Sequence, residues 1–225
     1  MAVIESANPK NTPNHLFKIH DMAKILLWCH GGCFGGGTAL YDRDLRHRIA
    51  AAGWTVDAVD FPTDDFKSAQ QTLLAAVKNA QATNPAQLVI GGVSSGGFLA
   101  YQIAQQCRLP SLLLCPVLAP AARHTQLRHR QQALQLRFFH SLEVMRQVEE
   151  EVQPPVSPTA IVYGTEDDRA PGEVHAPWAE QPNVQRIAVE GGHTLCKHPP
   201  MSAVMSALDW IGVFTASREH WVVNQ

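Results

Sequence analysis

The sequence predicts an α/β protein, with a mostly parallel central sheet and helices on both faces. Three observations carry this. Short apolar runs such as "KILLWC" and "QLVI" lead straight into glycines, and segments of helical periodicity separate such runs. Hydrophobic residues make up 45 % of the chain and charged ones only 17 %, as expected where many strands are buried on both faces. Strand–helix alternation at this spacing builds βαβ units and a parallel sheet. The 225 residues fit a single domain, 1–225, long enough to bury a sizeable core.

"KILLWC" (Lys24–Cys29) is the first strong strand. "YDRDLRHRIAAAG" follows with Leu45, Ile49 and Ala52 at helical spacing and Gly53 as its stop. "WTVDAVDF" is a strand ended by Pro62. Asp64 or Asp65 then caps a long helix striped by Phe66, Ala69, Leu73, Val77 and Ala80, which ends near Asn84-Pro85. "QLVIGG" is the next strand, and Gly96 to Gln106 the next helix. "PSLLLCPVL", "TAIVYG" and "VQRIAVE" are strands. Met201, Val204, Met205, Leu208 and Ile211 stripe a closing helix.

One stretch breaks the alternation. Residues 119–158 carry no strand signal, and "TQLRHRQQALQLRFFHSLEVMRQVEEEV" reads as two helices with Ser141 as a cap between them. That is too long for a simple crossover and points to a helical insertion or small lid. Its Arg123, Arg128, Arg130 and Arg137 could draw in an anion, but Glu149 to Glu151 soon balance them, which favours a solvated helix face.

A formal charge of −2 gives no footprint for nucleic acid. No apolar run reaches the ~18 residues of a membrane span, so no membrane partner is expected. "MAVIESANPKNTPNH" lacks the basic and apolar regions of a secretory signal, and a cytoplasmic location is the expectation. The five cysteines are odd in number and lack CxxC spacing, so neither a disulfide framework nor a zinc site is indicated.

The chemistry centres on "GGVSSGG". Gly92-Val93-Ser94-Ser95-Gly96 fits G-x-S-x-G with an apolar strand before it and an apolar helix after it. A serine on so sharp a strand-to-helix turn needs small neighbours, and the turn lifts its hydroxyl to the carboxyl end of the sheet, where open α/β sheets bind ligands. Ser94 is the candidate nucleophile. Ser95 offers its backbone N–H at the helix start. A serine hydroxyl needs a base, and the base an orienting acid. "TEDDRAP" follows "TAIVYG", and "GGHTL" follows "VQRIAVE", so Ser, acid and His come in the order this fold uses. His193 is the candidate base; Glu166, Asp167 and Asp168 are candidates for the acid. "CHGGCFGGG" after the first strong strand supplies glycine N–H groups for an oxyanion, and Gly31 and Gly32 join Ser95 as the expected donors. His30 reads as an organiser of that loop. A phosphate cradle fails there, because neither a Gly-Lys-Ser/Thr nor a G-x-G-x-x-G is present.

"HGG", "GVSSGG", "LCPVLAP", "YGTEDDRAP" and "GGHTL" together resemble the α/β-hydrolase superfamily, and within it the hormone-sensitive-lipase-like esterases and the kynurenine formamidases. The resemblance covers most of residues 24–211. It implies an acid three residues past the glycine that ends its strand, with a proline four beyond. Gly164, Asp167 and Pro171 fit, which selects Asp167. Cys33 stands where many lipase-like relatives have a third glycine and reads as a pocket-wall residue. Those relatives carry far more chain ahead of "HGG", so the sheet is expected to be trimmed at that edge, with "HLFKIH" as one candidate strand. A trimmed edge must be covered or paired, and a homodimer is one way to do it.

The leading functional reading is a serine hydrolase acting on a small-molecule acyl substrate, a small carboxylic ester, with no metal or organic cofactor implied. An amidase, either an aryl formamidase or a small peptidase, would use the same triad. A non-catalytic hydrolase fold that binds a small molecule or partner is the reading from another class, and it usually goes with a missing triad member.

Overall fold

The computed structural model describes residues 23–31, 42–62, 65–122, 142–196 and 198–222. Six strands, β1 (Lys24–Cys29), β2 (Thr55–Val59), β3 (Gln87–Val93), β4 (Ser111–Leu114), β5 (Thr159–Gly164) and β6 (Val184–Val189), form one sheet. Their order is β2-β1-β3-β4-β5-β6, and every neighbouring pair is parallel. The helices are α1 (Arg43–Ala51), α2 (Phe66–Ala82), α3 (Ser95–Cys107), α4 (Leu142–Glu150) and α5 (Met201–Val222).

Alternation along the strands divides the core in two. Leu27 and Cys29 of β1 pack into the layer that holds Leu73 and Val77 of α2, Phe98 and Ile103 of α3 and Met145 of α4. Leu26 and Trp28 face the other layer, with Leu45 and Ile49 of α1 and Val204, Leu208 and Ile211 of α5. Both faces of the sheet are therefore apolar, and each large side chain fully buried there contributes about 1.5–3 kcal/mol. The buried Asp42 carboxylate on the α1 side is satisfied by the Trp28 indole N–H at 2.8 Å and by Arg46 at 3.0 Å.

Local signals place most elements. Asp65 caps α2, accepting from the N–H groups of Lys67 and Ser68 at 3.0 and 3.3 Å; Asp64 lies outside the described residues. Gly53 follows α1 at φ +92°, but Ala52 sits at the C-cap and is exposed, so it is not part of the buried stripe. "HLFKIH", Ser141, the four insertion arginines and the insertion's first expected helix also lie outside the described residues.

Two differences from the sequence reading have physical causes. β4 stops at Leu114, well short of the expected "PVL", because Cys115 turns the chain at φ +43°. That turn frees the Val117 N–H to reach the Ser94 carbonyl at 3.1 Å. The second difference is a 3₁₀ turn at Gly172–Trp178, which carries no helical periodicity. Arg186 of β6 holds it in place. Its Nε donates to His175 Nδ1 at 2.9 Å and its Nη2 to the Gly172 carbonyl at 2.9 Å, while the guanidinium lies 4.8 Å from the centre of the Tyr163 ring.

Part of the 119–158 stretch is fastened to the sheet layers. Tyr101 of α3 accepts from the Gln153 N–H at 3.0 Å. Gln105 donates to the Pro154 carbonyl at 3.1 Å and accepts from the Val156 N–H at 2.9 Å. Glu149 of α4 accepts from the N–H groups of Ala121 and Ala122 at 2.6 and 3.3 Å, tying the segment after β4 to α4.

His175 makes folding sensitive to pH. Burial, then the nearby Arg186 charge, pushes it down from 6.5 to about 4. Between those values the unfolded chain binds a proton that the folded chain refuses, so stability should fall as pH drops through this window, by on the order of 3 kcal/mol in all. His175→Gln keeps an acceptor for Arg186 and does not titrate. Its stability should decline more shallowly than the wild type's in urea unfolding series between about pH 4.5 and 7.5; equal slopes would assign the titration to another group.

Candidate active site

Ser94 stands alone between β3 and α3. Its backbone sits at φ +56°, ψ −118°, a region that costs a non-glycine residue energy. Neighbouring contacts enforce it. A side chain on Gly96 would come within 2.2 Å of the His30 carbonyl oxygen and 2.3 Å of that of Cys29. One on Gly92 would lie 2.4 Å from the Gly96 carbonyl oxygen. The start of α3 is thus seated on the end of β1, and only glycines allow it. The turn is also fully hydrogen-bonded. The Ser94 N–H donates to the Leu114 carbonyl at 2.9 Å, and its own carbonyl accepts from Phe98 at 3.2 Å and Val117 at 3.1 Å.

The two residues selected from late-strand loops, Asp167 and His193, converge on this turn. Ser94 Oγ lies 2.9 Å from His193 Nε2, and His193 Nδ1 lies 2.9 and 3.1 Å from the two Asp167 carboxylate oxygens. An ionised carboxylate only accepts, so Nδ1 carries the proton, and in the neutral ring Nε2 is left to accept from the Ser94 hydroxyl. The Asp167 side chain is wholly buried, and that of His193 is 12 % exposed.

Asp167 is held from behind. Its Oδ1 accepts from the N–H groups of Arg169 and Ala170 at 2.8 and 2.9 Å, an Asx-type turn. Burial alone would raise its pKa. The hydrogen bond and charge of His193 and the two backbone N–H groups outweigh burial and bring it below the usual carboxylate value. Glu166 and Asp168, its rivals in sequence, are exposed.

The loops bearing acid and histidine are locked together. Glu166 donates its N–H to the Gly191 carbonyl at 2.9 Å and Thr165 to that of Val189 at 2.9 Å. A side chain on Gly164 would lie 2.3 Å from the Gly191 carbonyl oxygen. The spacing between Asp167 and His193 is therefore set by backbone contacts rather than by side chains alone.

Of the expected oxyanion donors, Gly31 is buried directly beyond β1, and Ser95 is the first residue of α3, where helix N–H groups point out of the N-terminus and favour negative charge. Gly32 and Cys33 lie outside the described residues. His30 is buried, stacks on Phe61 at 4.4 Å and hydrogen-bonds to the Gly31 backbone. Burial lowers its pKa, which keeps it neutral near pH 7 and suits an anchor of that loop. Among the described residues no three His, Cys, Asp or Glu side chains gather as a metal site requires, and no helix is long and apolar enough to cross a membrane.

A small pocket of about 350 Å³, its open mouth included, is lined by the segment that follows β4 and the loop that follows Asp167. Pro116, Val117 and Leu118 form one wall, and Ala170, Pro171 and Val174 the other, with Arg169 among them. Sequence reasoning missed this pocket, the Asp167 backbone clasp and the Glu149 tie. Only the clasp had a readable signal, an Asp with open N–H groups two and three residues on.

The fold and this arrangement define a member of the α/β-hydrolase class. The chain belongs to the alpha/beta hydrolase fold family, whose model matches residues 26–166. A comparison with curated proteins found no match. Among solved structures the chain is similar to Est1E from Butyrivibrio proteoclasticus with ferulic acid bound, at 17 % identity and a TM-score of 0.64, covering 88 % of this chain and 90 % of that one. It is also similar to an acetyl ester-xyloside bifunctional hydrolase from Caldicellulosiruptor lactoaceticus, at 13 % identity and TM-score 0.66 over 87 % and 85 % of the two chains. A monoacylglycerol lipase from Paleococcus ferrophilus matches at 14 % identity and TM-score 0.58, over 84 % and 96 %.

The contact between α3 and β1 can be tested without any substrate. Gly96→Ala should cost about 3 kcal/mol or more, since its new methyl meets backbone on two sides and neither can step aside. Gly53→Ala, at φ +92° but with nothing within 4 Å, should cost only about 1 kcal/mol of backbone strain. Denaturant melts of the two variants would show equal losses only if the seat of α3 on β1 were loose.

Proposed function

We propose that the protein is a serine hydrolase that cleaves small carboxylic esters through an acyl-enzyme. The observation that carries this reading is the continuous hydrogen-bonded line from Ser94 Oγ through His193 to Asp167, mounted on a turn with positive φ. The solved neighbours named for ester cleavage make esters the first substrates to assay.

In this reading Ser94 Oγ attacks the substrate carbonyl carbon while His193 Nε2 takes its proton. The carbonyl oxygen becomes an oxyanion and receives N–H groups from Ser95, Gly31 and Gly32. Collapse of that intermediate breaks the ester bond, and the leaving alcohol takes the proton from Nε2. Water, deprotonated by the same nitrogen, then attacks the acyl-enzyme and returns Ser94 to its hydroxyl form. Asp167 is a positioning residue. It fixes the Nδ1–H tautomer and stabilises the imidazolium of each step, and its lowered pKa keeps it ionised while it does so.

Pocket size sets the preferred acyl group. Each buried methylene gains about 0.8 kcal/mol only while the pocket can receive it, and chain beyond the pocket adds nothing to the transition state. Acetyl to butyryl esters should be turned over best. A p-nitrophenyl series from two to sixteen carbons measures this, and a maximum at ten or more would mean a long acyl channel instead. Paired formamide and ester substrates in the same series separate esterase from amidase.

Ser94→Ala should lower kcat by about 10⁴-fold or more and abolish labelling by a fluorophosphonate. If Ser95→Ala were the inactive variant, the nucleophile would be misassigned. Asp167→Asn should cost on the order of 10⁴-fold through the wrong histidine tautomer, with Asp168→Asn nearly neutral. Equal damage from the two would remove Asp167 from its role.

A further inference from the structure

Among the described residues lining this pocket, Arg169 is the only charged one. The others are prolines, alanines, valines and a leucine, with no charge and no polar side-chain atom. The pocket is tied to the reacting groups through backbone bonds. Val117 of one wall donates to the Ser94 carbonyl at 3.1 Å, and Ala170 of the other donates to Asp167 at 2.9 Å. Both walls of the pocket are thus bonded to residues of the proposed triad.

Among the described residues nothing engages the guanidinium of Arg169. Arg46 is paired with Asp42, and Arg186 is spent on His175, Gly172 and Tyr163. Among the described residues Arg169 makes no ion pair, although Glu166, Asp168 and Glu173 are close in sequence. Its backbone is fixed all the same, because its N–H is one of the two that clasp Asp167. Arg169 is exposed, and a planar cation on a fixed backbone, lining an otherwise apolar pocket, suits a carboxylate at the end of a short apolar group.

We infer that the preferred substrates carry a carboxylate on the portion that enters this pocket, and that Arg169 recognises it. This rests on the hydrolase reading above and names the substrate class for the same site. The carboxylate could sit on the acyl group or on the leaving group, and the chemistry at Arg169 is the same for both.

The test compares matched ester pairs. p-Nitrophenyl hemisuccinate against p-nitrophenyl butyrate places the charge on the acyl side, and 4-acetoxybenzoate against phenyl acetate places it on the leaving side. In at least one pair the wild type should favour the anion by about ten-fold in kcat/KM, expressed mainly in KM. That ratio should collapse in Arg169→Gln, recover in part in Arg169→Lys, and shrink as salt rises, because the site is open to solvent. Binding of the same pairs to Ser94→Ala, followed by thermal shift, gives a readout independent of turnover. If Ser94→Ala bound the anion in an Arg169-dependent way while the wild type hydrolysed nothing, the hydrolase reading would fall and only carboxylate recognition by Arg169 would stand. If the neutral esters were cleaved and neither pair showed a preference that Arg169→Gln removed, the inference would be overturned and the hydrolase reading kept.

Discussion

Two backbone carbonyls at the end of β1, those of Cys29 and His30, lie where any side chain on Gly96 would have to go. That contact fixes where α3 begins. With the helix seated there, the single residue linking it to β3 must cross at φ +56°, and the strain of about 1–3 kcal/mol falls on Ser94. Four elements share in holding it. β4 accepts its N–H through Leu114, the loop beyond β4 donates to its carbonyl through Val117, α3 does the same through Phe98, and β1 supplies the seat. The hydroxyl is consequently presented by the scaffold and not by a mobile loop, as the proposed role of Ser94 as nucleophile demands.

The same seat accounts for the neighbourhood of the oxyanion loop. Gly31 leaves β1 at the point where α3 starts, so the loop's first residue and the helix N-terminus are brought together by one packing contact. His30 then ties the loop to the body through its stack on Phe61, just past β2, and its bond to the Gly31 backbone. On the other side of β3, the acid and histidine loops are locked by Gly164 against Gly191. Neither loop is long, and both are bonded to each other before either meets Ser94. The spacing of Ser94, His193 and Asp167 thus follows from close backbone contacts on each side of Ser94, Gly96 against the end of β1 and Gly164 against Gly191.

What could be read from the sequence was whatever carries its own local signal. The β1 run, the α2 stripe with Asp65 before it, and the G-x-S-x-G turn each need only a few consecutive residues to declare themselves. Ser94 stands out because glycines bracket it, and His193 because two glycines precede it, both just past strand ends. Choosing Asp167 over Glu166 and Asp168 took a family resemblance, because the three differ only in which one turns inward, and that depends on the clasp by Arg169 and Ala170. The end of β4 and the Gly172–Trp178 turn were not legible. One is decided by a left-handed residue, Cys115, with no glycine to mark it; the other by Arg186, which comes from a later strand. Glu149 looked like one charge in an acidic run and is a backbone clamp, because its partners lie 27 and 28 residues away.

That clamp joins the insertion to the chemistry. Pro116 to Ala119, with Ala122, wall the pocket, and the backbone just beyond is held by a carboxylate on α4. α4 in turn leads into Gln153 to Val156, which α3 secures through Tyr101 and Gln105. The helix that starts at the nucleophile therefore also anchors the segment that shapes the pocket wall. A shift of α4 would be felt at Ala121 and Ala122 before it reached Ser94, since Ser94 is bonded to Val117, on the near side of the wall. The two roles are divided along the chain: glycine contacts at the strand ends hold Ser94, Asp167 and His193, and one carboxylate on the insertion holds the backbone at the pocket wall.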